Sequence, residues 1–126
     1  YLGAAAHLLQ DLCVPHHARA KLLHGHKAYE LWAQARCQDY AVTRDGIYQE
    51  GDAPLLLTVK NAEVAADFFD WVCYEGDEIF YDKVTSKLLP LAQRSTAGLF
   101  LNYAHEMLKL TASQINSNAF KYRIIN

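Results

Sequence analysis

Two short pairs, His7-x-x-x-Asp11 and His26-x-x-x-Glu30, constrain this chain more than any other feature. Each sets an imidazole and a carboxylate four residues apart. On an α-helix that spacing stacks both side chains on one face, one turn apart. His17 lies between the pairs. The five residues together offer enough nitrogen and oxygen donors for more than one divalent cation. To use them at once, the chain must fold a second helix beside the end of the first and bring a loop histidine to the junction.

The surrounding sequence supports such helices. Residues 2–13 are rich in alanine and leucine, and Pro15 stops the run. No capping residue precedes this helix. An opening so abrupt, at Tyr1, reads as a helix cut from a longer context. Residues 16–25 form a connection with some helical character, closed by Gly25. Residues 26–40 read as a second helix whose apolar side carries Ala28, Leu31, Trp32 and Ala35.

Residues 41–60 break the pattern. Asp45-Gly46 and Gly51-Asp52 are turn signals, and Leu55-Leu56-Leu57 reads as a short extended piece within a loop. Asn61 fits the N-cap of a helix to Tyr74, with Val64, Ala65, Phe68, Phe69 and Val72 at helical spacing. Gly76 and Asp77 mark a stop and a restart. The next helix runs to about Leu89, and Pro90 suits the first turn of a last long helix. Leu99, Phe100, Tyr103, Ala104, Met107 and Leu108 repeat helically there, and the polar tail after Asn116 is expected to fray. The expected fold is all-α, a helical bundle of four or five helices in one domain over residues 1–126.

Bulk properties narrow the function. A chain of 126 residues that is 52% hydrophobic can bury one core. Its 12 basic residues are scattered among 14 acidic ones, and no stripe tracks a phosphate backbone, so nucleic-acid binding is not favoured. No apolar run reaches the ~18 residues of a membrane span. Cys13, Cys37 and Cys73 lie far apart without a C-x-x-C, and their odd count argues against a fully paired secreted framework. They read as core thiols.

Zinc takes histidine nitrogen and carboxylate oxygen, and catalytic sites commonly use three protein ligands with one position open. His17, His26 and Glu30 make such a set. His7 and Asp11 make a second, incomplete one, and a carboxylate such as Asp11 can bridge two ions. A single His/carboxylate pair is ordinarily a surface hydrogen bond. Two pairs with a histidine between them point instead to metal. His16, His24 and His105 read as supporting or solvated groups. Trp32, Phe68, Phe69, Trp71, Phe100 and Tyr103 sit at helical spacing and read mostly as core. Ser95 and Thr96 have no adjacent histidine to act as base, which argues against a serine nucleophile.

These residues resemble a known family. The run from Tyr1 to Asp11, YLGAAAHLLQD, followed by Pro15-His16-His17-Ala18 and then by Gly25-His26-Lys27-Ala28-Tyr29-Glu30, resembles the metal-binding core of the bacterial zinc-dependent phospholipases C. The related single-strand-specific nucleases share this core. The family order is H-x-x-x-D, P-x-H-A, and then H-x-x-x-E or H-x-x-x-D. Ala92 to Gly98 is also similar to the start of the last helix in those phospholipases.

The resemblance implies a helical fold with up to three Zn2+ ions at the bottom of a cleft. His17, His26 and Glu30 match one complete site. His7 and Asp11 match part of a second, and Asp11 matches the carboxylate that bridges to a third ion. The implied reaction is phosphodiester hydrolysis on a phospholipid, releasing the head group at a peripheral membrane surface, in a secreted or extracytoplasmic setting. Family members carry a preceding segment with an amino-terminal tryptophan, further histidine ligands and an aspartate general base. That segment has no counterpart here, so the chain is expected to be the C-terminal part of such a protein, inactive alone, with its general base elsewhere. Gln10 and Val14 replace the family's usual glycine and glutamine, and the connection from His17 to His26 is short. A single-strand nuclease and a non-catalytic helical metal-binding module are the competing readings.

Overall fold

The computed structural model describes residues 1–44, 53–74 and 76–124, and beyond residue 112 only the side chain of Gln114. The described residues are all-helical, with no strand. Helix α1 spans Leu2–Asp11, α2 Pro15–Ala18, α3 His26–Ala35, α4 Pro54–Ala66, α5 Phe69–Val72 and α6 Glu78–Ile124. A 3₁₀ turn, Cys37–Tyr40, follows α3. The turn signals Asp45-Gly46 and Gly51-Asp52 lie outside the described residues.

The long helix α6 is the spine, and α1, α3, α4, α5 and the 3₁₀ turn pack along it. Its buried residues Tyr81, Val84, Thr85, Leu88, Ala92, Ser95 and Leu99 follow a helical period, so one stripe faces the other helices between Tyr81 and Leu99. Two apolar clusters lie along that stripe. One joins Tyr29, Ala65, Val72, Tyr81, Val84 and Leu88, and the other joins Ala6, Leu9, Leu57 and Leu99. A polar seam accompanies them. The Asn61 amide donates to Ser95 Oγ at 2.8 Å and to the Leu9 carbonyl at 3.4 Å, and Ser95 Oγ donates to the Leu91 carbonyl at 2.7 Å.

Several expected boundaries move. Leu55-Leu56-Leu57 is helical, because Pro54 opens α4 seven residues before Asn61. Proline's fixed φ suits that first turn. Asn61 is therefore no cap: with Leu57 and Ala65 it forms the buried i, i+4 face of α4. The helix expected to reach Tyr74 ends at Ala66, and α5 follows after a two-residue turn.

Helix α3 stops at Ala35, and its inward side is centred on Tyr29, while Leu31 is exposed. Pro90 does not begin a new helix but sits inside α6. Its missing N–H leaves the carbonyl of Ser86, an exposed residue, without its helical partner. The tail after Asn116 stays helical to Ile124. Among the aromatic residues, Phe69 is buried and Trp32 and Phe68 pack on the core, but Trp71, Phe100 and Tyr103 are exposed. Cys13 is buried, while Cys37 and Cys73 are half-buried; all three are free thiols.

Candidate metal centre

The connection from α1 to α3 builds the site. Val14 is extended (φ −92°, ψ 123°), as the residue before proline must be, and this separates α1 from α2. Helix α2 is a single turn opened by Pro15. Its neighbours His16 and His17 leave the helix axis about 100° apart, so one is fully buried and the other half-buried. Gly25, left-handed at φ 70°, then turns the chain into α3.

Three of the five sequence-predicted donors converge. His17 Nε2 lies 2.8 Å from His26 Nε2, His26 Nε2 lies 2.8 Å from Glu30 Oε1, and His17 Nε2 lies 3.4 Å from the same oxygen. Three atoms so spaced lie on a circle of radius about 1.8 Å. A point roughly 2.0–2.1 Å from all three, the usual distance for zinc bound by imidazole and carboxylate, then sits about 1 Å off their plane. The described residues thus offer one cluster of three donors that could hold a metal ion. The donor chemistry fits as well. Two imidazole nitrogens and a carboxylate oxygen within 3.4 Å of one another are all lone-pair carriers. A proton can bridge only one pair of them at a time, whereas a cation satisfies all three.

His7 and Asp11 form the outer pair. His7 Nε2 is 3.3 Å from Asp11 Oδ2, and the His7 side chain is 77% exposed. The same Asp11 oxygen is 3.9 Å from His17 Nδ1. His17 is therefore the hinge of the constellation, with Nε2 in the inner cluster and Nδ1 toward Asp11. His7 itself stays outside the inner cluster.

His16, read from the sequence as a supporting or solvated group, is not solvated. It is fully buried, its Nε2 lies 2.7 Å from the His24 carbonyl, and its ring stands 5.2 Å from that of His26. A carbonyl only accepts, so Nε2 carries the proton. Burial holds this imidazole below the ordinary histidine pKa. The neighbouring Pro15 and the single helical turn were the available signals, but the partner lies in a loop that no periodicity describes. His24 and His105 are exposed.

A cavity of about 460 Å³ opens beside Glu30, walled by Val14, Ala33, Leu88 and Ala92 and fringed by the amides of Gln10 and Gln93. Tyr29 at its wall stays a neutral phenol near neutrality, because burial pushes its pKa up to about 12. Burial likewise pushes the Cys13 thiol up to about 12, so this lining sulfur is no thiolate nucleophile. Ser95 is committed to the polar seam and sits apart from any histidine–carboxylate pair.

No protein-family model matches this chain, and no curated protein or solved structure shows significant similarity to it.

Proposed function

We propose that this protein is a zinc-centred phosphodiesterase of the phospholipase C type. The observation that carries this reading is the convergence of His17 Nε2, His26 Nε2 and Glu30 Oε1 at 2.8–3.4 Å from residues of two helices. The ordered motif H-x-x-x-D, P-x-H-A, H-x-x-x-E supports it, because that order resembles the family's metal-binding core. His17, His26 and Glu30 would hold one zinc ion. His7 and Asp11 contribute two donors to a neighbouring site, whose completion calls for donors beyond the five.

When bound, zinc generates a nucleophile from water at neutral pH and offsets negative charge building on the phosphoryl oxygens. The chain's own residues do the rest. Glu30 stands between the donor cluster and the apolar cavity, so a substrate phosphate is met at the cavity mouth while its less polar part lies along Val14, Ala33 and Leu88. Among the described residues no cation lines that cavity. This favours an uncharged diacylglycerol moiety over a polyanionic strand, and hence a phospholipid at a membrane surface, in a secreted or extracytoplasmic setting.

Equilibrium dialysis with elemental analysis tests the metal. The wild-type chain retains zinc and His26→Ala loses it; a wild-type chain without zinc refutes the reading. Hydrolysis of phosphatidylcholine micelles by the full-length protein, set against single-stranded DNA, tests the substrate. Preference for DNA would move the protein to the nuclease branch. A zinc ion bearing no exchangeable water would make the site structural.

A further inference from the structure

The loop that delivers His26 is held from two sides. On one side, buried His16 donates from Nε2 to the carbonyl of His24 at 2.7 Å, two residues before His26. On the other, Gly25 presses on the end of α5: a Cβ placed on it would stand 3.0 Å from the carbonyl oxygens of both Val72 and Cys73. Between these supports, the His26 ring stands 5.2 Å from the His16 ring and 4.8 Å from the His17 ring. The His16 ring is itself walled by Phe69, edge-on at 5.4 Å, and by Tyr29 at 6.0 Å.

We propose that His16 is a positioning residue for the centre formed by His17, His26 and Glu30. It acts by fixing the His24 carbonyl, so that His26 begins α3 with its imidazole already turned toward His17 and Glu30. The inference rests on the metal-binding reading above. It goes beyond it by giving a function to a buried histidine that is not itself one of the ion's donors.

The physical logic is preorganisation. A ligand set held in place before the ion arrives loses little conformational freedom on binding, and outer partners of that kind commonly tune metal affinity by about 10–100-fold. His26 is the ligand most in need of such support, because it is the first residue of α3, where no preceding helical turn constrains it. His17, by contrast, sits within the turn of α2, and Glu30 within α3.

Zinc affinity is measured by competition dialysis on wild type, His16→Phe and His16→Gln, together with the visible absorption of the cobalt-substituted proteins. Phenylalanine fills the buried space without a donor; glutamine restores a donor of similar reach. The expected result is zinc binding weakened about 10–100-fold in His16→Phe, with a changed cobalt spectrum. His16→Gln should return to within a few-fold of wild type with the wild-type spectrum. Wild-type affinity and spectrum in His16→Phe would overturn the proposal, and so would equal losses in both variants.

If His16→Phe does not fold, a long-range nitrogen–proton NMR spectrum of the wild-type protein decides instead. The Nε2–H tautomer at His16 with a slowly exchanging proton supports the contact, and the Nδ1–H tautomer overturns it. A wild-type chain that binds no zinc, yet shows the Nε2–H tautomer, would refute the metal reading while leaving the loop support standing.

Discussion

His17 turns its two ring nitrogens toward two different carboxylates: Nε2 is 3.4 Å from Glu30 Oε1, and Nδ1 is 3.9 Å from Asp11 Oδ2. The inner donor cluster and the outer His7–Asp11 pair are thereby linked through a single imidazole. An imidazole that gives Nε2 to a cation carries its proton on Nδ1, and a carboxylate on that side orients the ring and raises its basicity.

Asp11→Asn should therefore weaken zinc binding at a site it does not itself complete. An effect of about tenfold is expected, in line with carboxylates that support a metal-bound histidine. Glu30→Gln removes a donor outright and should cost considerably more. Titration calorimetry on the two variants orders these effects, and equal affinity in Asp11→Asn and wild type would disconnect the pairs.

The donor set was legible in the sequence because helical periodicity is local: His26 and Glu30 share a face whatever α3 packs against. The elements between were less so. Leu55-Leu56-Leu57 looks extended when read alone, and only burial of the Leu57, Asn61 and Ala65 stripe against α1 and α6 makes it helical. Pro90 reads as a helix start because proline in a helix interior costs about 3 kcal/mol. A continuous buried stripe through Leu88, Ala92, Ser95 and Leu99 on one face offsets that cost. The partner of His16 was illegible for a different reason, since it is a loop carbonyl whose position depends on the whole turn.

Asn61 and Ser95 tie α1, α4 and α6 together through two buried hydrogen bonds. Asn61→Ala strands the Leu9 contact and opens space between the helices. A loss of about 1–3 kcal/mol is expected. Ser95→Ala should cost about 1–2 kcal/mol. Because both remove the same bond, the double variant should fall short of the sum by roughly 0.5–1.5 kcal/mol. Urea unfolding of the four proteins measures this directly, and strict additivity would mean that the Asn61–Ser95 contact contributes nothing.

Burial lowers the pKa of His16 in the folded protein below its ordinary value of 6.5. The unfolded chain then binds more protons than the folded one at mildly acidic pH, so stability rises with pH. The contribution is fully present above the unfolded value of about 6.5 and is lost as pH falls from there through the folded value. Thermal melts of metal-free protein between pH 5 and pH 8 should show this slope in wild type and a shallower one in His16→Gln. Identical slopes would mean that the imidazole is as readily protonated folded as unfolded.

Two positions in the loop between α2 and α3 adopt left-handed backbone, Ala20 at φ 52° and Gly25 at φ 70°, and they should respond to substitution in opposite directions. At Ala20 the side chain already opposes the conformation, so Ala20→Gly removes about 1 kcal/mol of strain, less the extra entropy of glycine in the unfolded chain. The net effect is a small gain or none. Gly25 has no such latitude, because an added Cβ meets the carbonyl oxygens of Val72 and Cys73 at 3.0 Å. Neither obstacle is a flexible side chain that can swing aside. Gly25→Ala should cost about 2 kcal/mol or more, combining left-handed strain with displacement of α5 from the loop. It should also weaken zinc binding by moving His26, whereas Ala20→Gly leaves affinity unchanged. Chemical denaturation and metal competition on both variants check the pair, and a fully stable Gly25→Ala protein would show that the loop is free to shift away from α5.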